Sequence, residues 1–239
     1  RLKRFNLENE FKNLQKLALK AAKEAIIETG LNNNVKIAGC FSPLPGSYFK
    51  DKSISKKEMI ETYLSIGELQ KDDVDFFIIE TMSSIDEAVN AVEALSNFNK
   101  KILLCFCLLE GDGTKLFSGE DLSKACDLIQ IDKISGLCLN CSQFEDISIG
   151  LDILKKYGLP FGALPNNFQS VKPLKLGMSV DNIKKRNDIL IEDFVNYSNI
   201  WLKKGCTILG GCCEITPDYI NGLNQFLMKN KYNKVNFFN

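Results

Sequence analysis

Six short, continuous apolar runs, each followed by a stretch with helical spacing, constrain the fold of this chain more than any other feature. The runs are VKIAGCF (35–41), VDFFIIE (74–80), KILLCFC (101–107), GLCLN (136–140), PFGAL (160–164) and CTILG (206–210). A strand with one wet face alternates apolar and polar residues, and these runs do not alternate. Both faces of each strand are therefore expected to be covered, which is the condition of a parallel sheet flanked by helices. Helices are predicted over 5–29, with Asn6 as N-cap and Gly30 as the stop, and over 55–71, 84–97, 119–130, 144–157, 188–203 and 216–228. The segment SPLPGSYFKDKS (42–53) and the stretch after 164 read as loops. One domain over 1–229 with a polar tail over 230–239 is expected, since no linker or low-complexity segment divides the chain.

Alternating strands and helices leave two main α/β architectures. A doubly wound dinucleotide fold calls for a GxGxxG turn after an early strand, and the chain has none. The expected fold is thus a (β/α)8 TIM-type barrel, with its site on the loops that follow the strands. Such a barrel takes eight strands and about 250 residues. Six runs in 239 residues fall two strands short, so the first two strands are expected to be missing from the chain, in keeping with Arg1 where Met would stand.

Composition narrows the chemistry. The chain has no histidine, which excludes Ser-His-Asp and Cys-His nucleophile pairs and His-ligated zinc sites. Any metal must be held by sulfur or oxygen. Thirty basic and thirty acidic side chains balance, and no basic patch points to nucleic acid. No apolar run approaches a membrane span and no secretory signal is present, so a cytoplasmic location is expected. Nine cysteines, an odd number in a chain of this size, suit reduced thiols or metal ligation better than a disulfide framework. The sequence sets no oligomeric state.

In a barrel the reactive groups sit at the strand ends. Here these are Glu80-Thr81, Asn140-Cys141, Pro165-Asn166 and Gly210-Gly211-Cys212-Cys213. Three cysteines at one end of a barrel can converge on one ion, and a zinc with three protein ligands keeps a fourth position open for chemistry. Adjacent strand residues point to opposite faces, so Cys212 and Cys213 reach one metal only where the pleat is broken, a freedom that Gly210-Gly211 supplies. The alternative is three small buried hydrophobes at a tight turn. A carboxylate that ends a run such as FFII is costly to bury unless it faces the mouth and meets a cation, or unless Glu80 serves the N-terminus of the next helix. Asn140 and Asn166 either orient a ligand or close loop hydrogen bonds.

Several segments resemble the homocysteine S-methyltransferase family. GLCLNCS is similar to its GxNC motif and ILGGCCEITPDYI to its GGCCGTTPxHI motif. IAGCFSPLPGSYFKD resembles AGSxGPxGxYLxDGS, and VDFFIIETMSSIDEA, KLFSGEDL and LPNNF resemble further family segments. The resemblance implies a (β/α)8 barrel with zinc held by Cys141, Cys212 and Cys213, and Glu80 receiving the amino group of homocysteine. Thr81, Asn140 and Asn166 complete the expected substrate site. The implied partners are homocysteine and a small methyl donor, a cationic sulfonium or ammonium compound, with no nucleic acid and no membrane. Methionine is the implied product.

The chain departs from that pattern in several places. The DGGxGT and TNTY-like segments of the first strands are absent, Glu214-Ile215 replaces Gly-Thr, and Tyr219 stands where the family has His. The alternative reading is accordingly a non-catalytic zinc-binding relative or fragment. A further one is a thiol-sensing barrel with a vicinal Cys212–Cys213 disulfide. The 46–48 loop is a candidate for donor contact. Cys105 and Cys107 read as packing on one face, Cys138 and Cys141 as pointing to opposite faces, and Cys40, Cys126 and Cys206 as core residues.

Overall fold

The runs that are apolar on both faces become strands, and their neighbours become the helices that cover one of those faces. A computed structural model describes residues 2–31, 35–44, 46–48, 54–174 and 180–233. In chain order the elements are α1 (Phe11–Glu28), β1 (Ala38–Phe41), α2 (Lys56–Gln70), β2 (Phe76–Met82), α3 (Ile85–Leu95), β3 (Ile102–Phe106), β4 (Leu108–Leu109), β5 (Asp112–Leu116), α4 (Leu122–Leu128), β6 (Gly136–Asn140), α5 (Phe144–Leu154), β7 (Phe161–Leu164), α6 (Ile191–Lys204), β8 (Ile208–Leu209) and α7 (Pro217–Lys229). Part of the expected tail, 234–239, lies outside the described residues, as do Pro45 and 49–53 of the loop after β1.

Six strands form one sheet in the order β1-β2-β3-β6-β7-β8, every pair parallel. The order follows the chain without reversal, so the sheet has no switch point of the doubly wound kind. Among the described residues β1 and β8 are its edges and do not pair with each other. No helix among those residues is long and apolar enough to cross a membrane.

The pleat sorts side chains to two faces. Phe77, Ile79, Ile102, Leu104, Leu137, Leu139 and Ala163 pack under the helices in the main core. Phe144 of α5 stacks on Trp201 of α6 with centroids 5.9 Å apart, and meets Phe194 edge-on at 6.1 Å. The opposite face carries Leu103, Cys105 and Cys138, bordered by half-buried Phe76, Ile78, Leu164 and Ile208. Cys40 projects from edge strand β1 and is exposed, which corrects its expected place in the core. Cys126 and Cys206 are buried as expected.

Helix boundaries follow capping chemistry. Ser55 and Glu58 form a reciprocal capping box at the start of α2, and Gly205 at φ 100° closes α6. Asn6 is not an N-cap: it sits at φ 54° between two short 3₁₀ turns, and α1 starts five residues later. Gly30 ends that helix region at φ 67°, as expected. The sequence reading has no counterpart for the β4–β5 hairpin, an antiparallel pair with Leu109 opposite Asp112. Its signal was a two-residue turn, Glu110-Gly111, with the glycine at φ 86°.

Candidate metal and substrate site

Every residue singled out at a strand end lies at the C-terminal edge of the same sheet. Glu80 and Thr81 are in β2, Asn140 ends β6 with Cys141 next, Asn166 follows β7, and Cys212 and Cys213 follow β8. The sulfurs of Cys141, Cys212 and Cys213 all lie within 4.8 Å of one another. Cys141 and Cys212 are joined as a disulfide, and Cys213 Sγ stands 3.9 Å from each of them. The vicinal Cys212–Cys213 bond is therefore not the one formed.

Short backbone hydrogen bonds bring these loops together. Cys141 N donates to Leu164 O at 3.0 Å, Asn166 N to Ser142 O at 3.1 Å, Cys212 N to Pro165 O at 2.8 Å and Asn167 N to Cys213 O at 3.0 Å. The segment 164–167 is thus a strap between the two cysteine loops. The pleat is broken where expected, but not by a left-handed glycine. Glu214 takes φ 63° and Ile215 N closes a turn onto Cys212 O at 3.2 Å. Gly210 serves close approach, since a Cβ there would stand 2.6 Å from Leu164 Cδ2.

Four of the six described non-glycine residues with positive φ border this site: Tyr48 (68°), Thr81 (60°), Cys141 (48°) and Glu214 (63°). Such strain persists only where surrounding contacts impose it. Glu214 occupies a left-handed position that glycine takes without penalty, so Glu214→Gly is expected to raise stability by about 1 kcal/mol, a Tm gain of roughly 2 to 4 °C. A Tm no higher than that of the parent in a thermal melt would show that the turn is not strained.

Asn140 is buried and pairs reciprocally with Thr81, accepting from Thr81 N at 2.9 Å and donating to Thr81 Oγ1 at 2.9 Å. Of its two expected roles, the loop bond is the one observed. Asn166 Oδ1 accepts from Phe168 N at 3.1 Å. Glu80 is half-buried, and Cys40 Sγ donates to Glu80 Oε1 at 2.8 Å.

Three residues around the cluster, Tyr48, Glu87 and Cys107, had little signal of their own in the sequence. Tyr48, from the loop flagged for donor contact, donates to Cys141 O at 3.3 Å and packs against Phe117. Glu87 fixes that loop by accepting from Leu44 N at 2.6 Å and Tyr63 Oη at 3.0 Å. Cys107, expected only as packing, is buried beside the cluster, with its thiol 3.6 Å from Cys141 O. Burial pushes its thiol up to about 12. The Cys213 thiol is likewise pushed up, first by burial and then by the Glu80 and Glu214 carboxylates, so it stays protonated without a cation beside it.

The donor set fits zinc on geometry as well as chemistry. Three thiolates at zinc–sulfur distances of about 2.3 Å in a tetrahedron stand about 3.8 Å apart. Both distances from Cys213 match that spacing, and reduction of the Cys141–Cys212 pair frees the third edge.

Fold and site together define an α/β protein with a three-sulfur centre at the C-terminal edge of a sequentially ordered parallel sheet. The family model described as homocysteine S-methyltransferase matches residues 1–227, and the chain belongs to that family. It is 28% identical over 160 residues to a selenocysteine methyltransferase of Astragalus bisulcatus, covering 64% of this chain and 45% of that protein. To homocysteine S-methyltransferase 2 of Zea mays it is 29% identical over 161 residues, covering 65% of this chain and 45% of that one. The chain thus spans less than half the length of these curated relatives. The apo form of the Escherichia coli homocysteine methyltransferase MmuM superposes with a TM-score of 0.68 at 21% identity, covering 91% of this chain and 74% of that one. MmuM has also been solved in a metallated form.

Proposed function

We propose that this chain is a zinc-dependent methyltransferase moving a methyl group from a cationic sulfonium or ammonium donor to the thiolate of homocysteine, giving methionine. The convergence of Cys141, Cys212 and Cys213 is the observation that carries this reading. We also assign 1–229 to one domain, a sector of an eight-stranded barrel. The strictly sequential strand order and the apolar second face of the sheet support that assignment.

A zinc ion held by the three cysteine sulfurs would supply the positive charge that keeps a fourth sulfur deprotonated at neutral pH. A free alkyl thiol, with a pKa near 8.5, is mostly protonated there. The substrate thiolate attacks the methyl carbon, a new carbon–sulfur bond forms, and the donor leaves as a neutral sulfide or amine with the electrons of the broken bond. No general base is needed once the thiol proton is gone, which suits a chain without histidine. Glu80 and the three cysteines lie at the same edge of the sheet, an arrangement in which one bound amino acid would place its sulfur at the cluster and its ammonium at the carboxylate. Asn140 holds Thr81, and through it the end of β2 that carries Glu80. Four negatively charged sulfurs around one dication favour a cationic donor over a neutral one.

The test is a screen of the reduced, zinc-loaded protein with homocysteine and with selenocysteine as acceptors, against S-methylmethionine, S-adenosylmethionine and betaine. Methylated acceptor is expected with at least one donor, and a chelator should abolish its formation. Stoichiometric zinc with no product from any pair would leave the non-catalytic zinc-binding relative as the correct reading.

A further inference from the structure

Asn167 is buried completely, and none of the motifs that resemble the family gives it a role. It ends the 164–167 strap, and its backbone N–H is the donor that holds Cys213 O at 3.0 Å. Its side chain reaches away from the cluster: Nδ2 donates to Tyr219 Oη at 3.2 Å and to Ile189 O at 3.3 Å. Tyr219 Oη in turn donates to Ile189 O at 2.9 Å. The Asn167 carbonyl accepts from Arg186 N at 2.9 Å, and Arg186 forms a two-pronged pair with Glu145 at 2.8 Å for each prong.

These contacts close a ring. Tyr219 lies in the first turn of α7, a few residues beyond Cys213, and its ring meets Phe194 edge-on at 5.8 Å. One end of the segment 213–219 is therefore pinned through the Cys213 carbonyl and the other through the Tyr219 hydroxyl, both on Asn167. Between the pins lies Glu214 in its left-handed conformation, which would relax toward ordinary backbone if either pin were released. We propose that Asn167 and Tyr219 act as a paired brace that aims the Cys213 sulfur at the other two and so sets the geometry and affinity of the three-sulfur centre. This rests on the metal-binding reading above and adds to it two positioning residues, at the position where the family pattern has His and at one it leaves open.

The Asn167 amide oxygen finds no partner in its buried setting. Removing the side chain discards an unsatisfied acceptor together with two donated hydrogen bonds, and the two costs are of similar size. Asn167→Ala should thus leave thermal stability almost unchanged. Tyr219→Phe keeps the ring and removes only the hydroxyl.

The experiment titrates the reduced protein with Co2+ and then competes it with Zn2+, following the sulfur-to-cobalt charge-transfer and ligand-field bands, with Tm measured alongside. Both variants are expected to bind zinc about ten-fold or more weakly than the parent, the range seen when groups behind the ligands are removed. Their ligand-field bands should shift. Val92→Ala, a buried change in α3 away from the site, is the stability control and should leave bands and affinity in place. If the parent binds cobalt and zinc while both variants match it in bands and affinity, the brace is overturned and the metal reading stands. A parent with no thiolate-to-cobalt band overturns both.

Discussion

Cys212→Ser and Cys213→Ser are each expected to lose the stoichiometric zinc that the proposed three-sulfur centre would hold. A serine hydroxyl is not deprotonated at neutral pH as a coordinated thiol is, and it offers a harder, weaker donor to a metal that sulfur suits. Zinc held by four protein ligands is worth about 10 to 16 kcal/mol, roughly 3 to 4 kcal/mol per ligand, so losing one thiolate lowers affinity on the order of 10²- to 10³-fold. The chain has no histidine to step in. Cys107 is buried beneath the cluster with its thiol turned to Cys141 O, so it is poorly set to replace a lost ligand. Elemental analysis after dialysis of the reduced proteins reads the result, and one zinc per chain in both variants would refute the three-sulfur centre. The unreduced parent should likewise hold little zinc, because the Cys141–Cys212 bond ties up two of the three sulfurs. Thiol titration before and after reduction counts those two.

The second large effect is expected from Asn140→Leu. Leucine fills nearly the same volume but offers neither the acceptor for Thr81 N nor the donor for Thr81 Oγ1, both now met at 2.9 Å. Thr81 is itself buried, so each orphaned group costs about 1 to 3 kcal/mol and the pair about 3 to 5 kcal/mol. A β-branched residue at φ 60° adds strain that this pairing helps to hold in place. Urea unfolding measures the loss, and a change below about 1 kcal/mol would show that Asn140 does not brace β2. In a Thr81→Gly background the same substitution should cost much less, because glycine takes the left-handed backbone freely and has no hydroxyl to orphan.

Much of the architecture was legible in the chain because its signals are local. All six runs became strands, and the seven helical stretches became α1 to α7 with ends shifted by a few residues, most at α1 and α4. The larger misses have physical causes. β4 is only two residues long and β5, DGTKL, is mostly polar, so the turn glycine was the one local mark of the hairpin. Asn6 has the right residue type for an N-cap, but Leu7 and a 3₁₀ turn intervene before regular helix begins. Cys40 looked like a core thiol because VKIAGCF is apolar apart from Lys36, and its exposure depends on β1 being a sheet edge among the described residues.

Within the site the division is sharper. Residue type and placement at strand ends determined which groups gather at one edge of the sheet: Glu80, Thr81, Asn140, Cys141, Asn166, Cys212 and Cys213. Those properties follow from pleat and helix periods that each segment carries by itself. Only the tertiary structure decided that Asn140 pairs with Thr81 across 59 positions, that Cys213 stands 3.9 Å from a Cys141 72 positions away, and that Asn167 and Tyr219 close a ring behind the cysteines. Pairings over such separations depend on strand register and on backbone angles that no short stretch of sequence encodes. Composition limited this chain to sulfur and oxygen ligands, and the packing of distant loops brought three of its sulfurs together.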